Sequence, residues 1–186
     1  MGKALGRTAT SVGLSERTLR RYVNDGLLRA RRVAGQLELS APEEHYLAEH
    51  FGLLTGLRKA LRTERNVRLA VLFGSTATGE EGDDSDLDLL VGLERGGMLE
   101  LARVHRRLED FFDREVHLVA LDDALTAPSL LIDVIDEGRV LIDRDDSWAD
   151  VTSSRDLIAR RARRQEADLT RRAAAAVSAA RRRAGG

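Results

Sequence analysis

Cysteine is missing from all 186 residues, which removes disulfides, thiolate metal ligands and cysteine nucleophiles together. Aromatic residues are scarce at 4%, but 42% of the chain is hydrophobic, enough for a buried core, so wholesale disorder is excluded. No apolar run approaches the roughly 18 residues of a membrane span, and no charged-then-apolar leader opens the sequence. The expectation is a soluble, cytoplasmic protein with no membrane partner. Proline occurs only at Pro42 and Pro128, each where a helix should start. The length allows one large domain or two small ones.

Charge is abundant and segregated. Residues 1–40 carry eight basic and three acidic side chains, a net of +5; residues 41–154 carry 12 and 25, a net of −13; residues 155–186 carry ten and three, a net of +7. Two basic ends around an acidic middle imply parts with different partners, and basic ends can meet phosphate backbones.

Ser40-Ala41-Pro42-Glu43 reads as an N-cap, a first-turn proline and a capping-box glutamate. Leu47, Phe51, Leu54, Leu57 and Leu61 then form one apolar stripe, so a helix is expected over residues 42–62. Two short helices are expected near residues 3–12 and 15–24, and a basic, alternating segment runs from Arg29 to Leu39. From residue 67 the pattern changes. Apolar runs at 67–73, 87–91, 116–119 and 139–142 read as strands, with helical spacing at 99–112 (through Leu101, Val104, Leu108 and Phe111) and at 129–137. The fold class is therefore α/β (α+β), with this domain over residues 66–146 and a connecting helix over 42–65. Residues 147–186 end in an Ala/Arg-rich helix from about 154 to 184.

The stretch that carries chemistry is Gly74-Ser75, followed after ten residues by Asp86-Leu87-Asp88. Asp86 and Asp88 lie two apart on a strand, so both carboxylates project to one face while Leu87 and Leu89 turn to the core. Adjacent carboxylates repel unless a cation sits between them, and Mg²⁺ with oxygen ligands is the natural occupant. Gly74 lets backbone N–H groups approach an anion, and Ser75 adds a hydroxyl donor. A loop that takes phosphate beside carboxylates that hold a metal makes a metal–nucleotide site.

These residues resemble the signature of the DNA polymerase β-like nucleotidyltransferases, nearest in kind to the minimal nucleotidyltransferases. The resemblance covers about residues 66–146. It implies transfer of a nucleoside monophosphate, with AMP favoured, from ATP or another NTP to an acceptor hydroxyl, with Mg²⁺ or Mn²⁺ as cofactor. It assigns metal binding to Asp86 and Asp88 and the β/γ-phosphates to Gly74 and Ser75. Two positions depart from the family pattern. His117 stands where a third carboxylate is usual, with Glu115 on the same face and Asp113 nearby as substitutes; Thr78 stands where many relatives have arginine. A neutral histidine can act as a base near pH 7, but it suits Mn²⁺ or Zn²⁺ better than Mg²⁺. The catalytic set is thus Asp86, Asp88 and His117.

In residues 13–28, Ser15 is an N-cap, Leu19 and Val23 form the buried stripe and Gly26 is a stop signal. Arg17, Thr18, Arg20 and Arg21 crowd the outer surface, and Arg29, Arg31 and Arg32 follow in an expected wing, where phosphate contacts would fix register. Thr18-Leu19-Arg20-Arg21-Tyr22 and Gly26-Leu27-Leu28 resemble the DNA-binding head of MerR-type regulators. That implies a winged helix-turn-helix over residues 1–41, DNA as a partner through Arg17, Thr18, Arg20, Arg21, Arg31 and Arg32, and a homodimer made through the helix that follows. The combined expectation is an antitoxin-type enzyme that modifies a cognate toxin protein and binds DNA. The alternative is a DNA-binding transcriptional regulator whose nucleotidyltransferase domain senses nucleotide and metal without catalysing transfer.

Overall fold

The computed structural model describes residues 3–80, 82 and 85–184; the first two and last two positions of the expected domain spans lie outside them. The N-terminal segment comprises β1 (Lys3–Ala4), α1 (Leu5–Ser11), α2 (Glu16–Asn24), β2 (Arg31–Val33) and β3 (Gln36–Leu39). The Ser15 hydroxyl accepts the Thr18 amide at 3.1 Å and starts α2. Gly26, at φ +77°, ends it, with the amides of Leu27 and Leu28 donating back to the Tyr22 carbonyl. The basic alternating segment is the β2–β3 hairpin, and β1 adds to its other edge in the order β1-β3-β2. Tyr22 is the buried partner of Leu19, while Val23 is only partly covered. Val23 still packs against the core, and the Arg58 guanidinium sits 5.1 Å over the Tyr22 ring.

Helix α3 (Ala41–Thr63) follows, capped by Ser40, whose hydroxyl accepts the Glu43 amide at 3.3 Å. Leu47, Leu54, Leu57 and Leu61 are fully buried along it. Glu43 does not complete a capping box. Its carboxylate is turned inward to Arg139 and to the Arg29 amide, because a buried guanidinium outcompetes a single exposed amide for it.

The remaining elements are β4 (Val67–Phe73), α4 (Gly74–Thr78), β5 (Leu87–Leu93), α5 (Met98–Phe112), β6 (Val116–Ala120), α6 (Leu121–Ala124), α7 (Pro128–Glu137), β7 (Arg139–Asp143), α8 (Ser147–Ser153) and α9 (Arg155–Ala184). The sheet order is β6-β5-β4-β7; β4 runs antiparallel to both neighbours, and β5 and β6 are parallel, joined through α5. Alternate residues of the central strands feed two cores. Ala70, Leu72, Leu87, Leu89 and Val91 join a cluster with α3, α5 and the N-terminal Leu5, Leu19, Leu27 and Leu39. Leu69, Val71, Phe73 and Leu90 join Leu131 and Val134 of α7 and Ile158 of α9 on the opposite face. Burial on both faces is why these strands read as unbroken apolar runs.

On α5 the buried stripe is Val104 and Leu108, continued by Phe112; Phe111 is exposed. Phe112 wins the inward place because its ring lies against Gly56 of α3, where a side chain would crowd it. Beyond Ile158, α9 leaves the body, and residues 163–176 are exposed throughout. Among the described residues, no helix is long and apolar enough to cross a membrane.

Candidate functional site

Strand β4 delivers Gly74 to the mouth of the sheet. The sequence suggested a loop there; the chain instead winds one helical turn, α4, closed by Gly79 at φ +82° with its amide donating to the Ser75 carbonyl. Gly74 adopts φ +72°, and any side chain there would collide with the Asp88 carboxylate. Glycine is therefore required twice over, by backbone conformation and by the closeness of that carboxylate.

Asp88 pairs across the sheet with Phe73 on one side and His117 on the other. Asp86 lies just before β5, its carbonyl accepting the Thr76 hydroxyl at 3.2 Å. Thus α4 and the first acidic residue are tied together. The two carboxylates converge on one imidazole: His117 Nδ1 is 3.6 Å from Asp86 Oδ2 and 3.5 Å from Asp88 Oδ1. On the other side of the ring, Nε2 lies 3.2 Å from Glu115 Oε1. Donor atoms of Asp86, Glu115 and His117 lie within 4.8 Å of one another, close enough to share one cation. Side-chain exposures of 38% for Asp86, 30% for Asp88, 52% for His117 and 65% for Glu115 leave the cluster open to solvent. Asp88, expected as the second metal ligand, stands beside this group rather than in it, and Asp113, at the C-terminus of α5, is also outside it.

Three carboxylates and one imidazole make a site rich in negative charge. Desolvation raises the Asp88 carboxyl above its ordinary value; His117 pulls it down, Asp86 pushes it up, and the balance is upward. Desolvation lowers the His117 pKa, but the Glu115 hydrogen bond and the charges of Asp86, Asp88 and Glu115 outweigh it and hold the imidazole above its usual value. A divalent cation would relieve both conditions, and a set of carboxylate oxygens with one imidazole nitrogen fits Mn²⁺ at least as well as Mg²⁺.

Thr78, at the expected arginine position, donates its hydroxyl to the Ser75 carbonyl at 3.1 Å and serves the turn itself. Behind the turn lies a second charged group that the sequence did not disclose. Arg139, the first residue of β7, is 1% exposed and reaches Glu43 through both terminal nitrogens, at 2.5 and 3.0 Å. Its Nε donates to the Ala77 carbonyl at 2.7 Å, and Nη1 also reaches the Leu27 carbonyl at 3.2 Å. No sequence signal marked it, because its partners come from three distant segments.

The N-terminal residues occupy a different surface. Arg17, Arg20 and Arg21 are exposed on α2, Thr18 is partly so, and Arg31 and Arg32 are exposed on β2. Arg20 is paired with Glu16 at 2.7 Å. Arg7, Arg20 and Arg32 line one groove between α2 and the hairpin, of about 440 Å³.

Residues 56–147 match the family described as polymerase beta, nucleotidyltransferase, and this mixed α/β part of the chain is a nucleotidyltransferase-like domain. No curated protein matches the chain. Several solved structures share the fold. A toxin–antitoxin chain crystallised with AMP-PNP is 20% identical, with a TM-score of 0.55 over 64% of this chain and 97% of that one. A chain of the MntA–HepT toxin–antitoxin is 18% identical, with a TM-score of 0.51 over 64% of this chain and 95% of the other. A chain from the complex of tri-AMPylated Shewanella oneidensis HEPN toxin with MNT antitoxin is 18% identical, with a TM-score of 0.51 over 64% and 94%. At such identities the likeness is one of fold.

Proposed function

We propose that this protein transfers a nucleoside monophosphate, AMP in the first instance, from a metal-bound NTP to a hydroxyl of a macromolecular acceptor, and that it is an antitoxin-type protein whose N-terminal segment binds DNA. The observation that carries the reading is the approach of both Asp86 and Asp88 to His117 Nδ1, at 3.6 and 3.5 Å, beside the Gly74–Ser75 turn. The family match over residues 56–147 supports the reaction type. The fold neighbours, a complex with AMP-PNP and one with a tri-AMPylated toxin, support AMP and a protein acceptor.

Asp86 and Asp88 would hold a divalent cation, with Glu115 and His117 available to complete its ligand set. When bound, the cation supplies charge neutralisation for the triphosphate. The Gly74 and Ser75 amides and the Ser75 hydroxyl receive the β/γ-phosphates. The acceptor oxygen attacks the α-phosphorus, forming a new P–O bond as the bond to the bridging α–β oxygen breaks and pyrophosphate leaves. The hydroxyl proton passes to His117 or Glu115. His117 takes that proton only when it is neutral and not itself holding the cation; otherwise Glu115 takes it.

A second reading, a DNA-binding regulator that senses nucleotide and metal without catalysing transfer, is favoured by the same His117 in place of a third carboxylate. Incubation with radiolabelled NTPs, Mg²⁺ or Mn²⁺ and the genomically adjacent protein separates the two. Label on that protein that vanishes in Asp86→Ala supports the enzyme; tight ATP binding without label supports the sensor; neither result ends both. For DNA, the exposed arginines of α2 and the hairpin predict an affinity for the gene's own upstream duplex that falls steeply with salt and drops in Arg20→Ala or Arg32→Ala. Salt-insensitive binding removes DNA from the proposal.

A further inference from the structure

The turn that carries Gly74 and Ser75 is only five residues long, and a helix of that length has almost no stability of its own. Its far end is nevertheless held at two successive carbonyls by side chains from elsewhere in the fold. The Tyr46 hydroxyl of α3 donates to the Thr76 carbonyl at 3.0 Å, and Arg139 Nε donates to the Ala77 carbonyl at 2.7 Å. Both donors are buried, and they brace each other: the Arg139 guanidinium lies 3.5 Å from the centroid of the Tyr46 ring. The other face of that ring system is covered by His50, stacked on Tyr46 at 4.2 Å and only 6° from parallel. Glu43 fixes the guanidinium bidentately and also accepts the Arg29 amide at 2.9 Å.

We propose that Arg139 and Tyr46 are positioning residues for nucleotide binding, holding α4 from behind so that the Gly74 and Ser75 donors are set for phosphate before it arrives. The inference rests on the nucleotidyltransferase reading, but it assigns roles to residues outside the glycine–serine and paired-aspartate signature. Ordering these groups in advance removes a cost that phosphate binding would otherwise bear. The clamp also reaches the N-terminal segment, because Arg139 is anchored on the Leu27 carbonyl.

Tyr46→Phe tests this with the least disturbance, as it keeps the ring against Arg139 and removes one hydroxyl. Arg139→Lys is the second variant; a lysine keeps the charge beside Glu43 but cannot also fork to Ala77. Three quantities are read in the full-length protein: Mn²⁺ affinity alone, ATP affinity in the presence of Mn²⁺, and hydrogen exchange of the amides from 75 to 79 without ligand. The expected result is an ATP affinity about three- to tenfold weaker in each variant, the worth of one hydrogen bond. Exchange at the turn should quicken while Mn²⁺ affinity stays unchanged. A merely structural role would weaken Mn²⁺ and ATP alike, and that outcome overturns the inference. So does an ATP affinity equal to wild type, which leaves the nucleotidyltransferase reading standing. If the wild-type protein binds Mn²⁺ but no ATP, both fall.

Discussion

Two clusters of charge lie on either side of the Gly74–Thr78 turn and obey opposite rules. Behind it, Arg139 and Glu43 are 1% and 6% exposed, equal and opposite in charge, with the guanidinium bonded to Glu43, Ala77 and Leu27. In front of it, Asp86, Asp88 and Glu115 surround a single histidine, all four at least 30% exposed, with negative charge in excess. Buried charge is tolerated only when matched and hydrogen-bonded. An excess of carboxylates gathered around one exposed imidazole is instead a place where a cation can bind. The comparison separates the part of the molecule that builds from the part that binds.

The largest effect should come from breaking the buried cluster. Arg139→Ala leaves Glu43 charged in the interior without its bidentate guanidinium, the Arg29 amide alone remaining on it, and denaturant unfolding should show a loss of about 3–5 kcal/mol. A loss under about 1 kcal/mol would mean that water replaces the guanidinium freely and that the two clusters are alike after all.

The front cluster should respond in the other direction. Asp88→Asn removes a carboxylate whose ionisation the site disfavours, so stability should hold or rise by no more than about 1 kcal/mol after solvent screening, while calorimetry finds divalent-cation binding gone. A clear fall in stability would place Asp88 with the builders.

The smallest effect is a dependence on pH. Because the folded pKa of His117 lies above its ordinary 6.5, its contribution to stability is fully present below the unfolded pKa and is lost as pH rises through the raised folded value. In the metal-free protein, the Tm advantage of wild type over His117→Gln should therefore shrink from mildly acidic to alkaline pH. With Mn²⁺ present the trend should reverse, since protons compete with the cation for the same groups. A pH-independent difference would show that His117 does not feel the carboxylates around it.

The front cluster was largely legible in the sequence. Gly74-Ser75 at the end of an apolar run, with Asp86 and Asp88 alternating against Leu87 and Leu89, gives strand, turn and facing carboxylates from local periodicity alone. His117 and Glu115 were legible for the same reason, lying two apart, with Glu115 just before the next strand and His117 on it. The rear cluster was not. Glu43 carried a local signal, the capping box after Ser40, and that signal was misleading because Arg139 claims the carboxylate. Phe111 was placed inward by helical spacing, and Phe112 took that place, its ring lying against Gly56 on α3; Val23 does pack on the core, with Tyr22 buried beside it.

The chain by itself determined the four strands of its larger sheet, its longer helices and the acidic face of β5, because each depends on side chains within a few residues of one another, whereas β1 falls where a helix was expected. Only the tertiary structure decided that α4 is a helical turn, that Tyr46 and Arg139 hold it, and that an arginine 62 positions past Ala77 lies beneath it. Interior electrostatics depend on which segments meet, and pairing between remote segments leaves no periodic trace in a sequence.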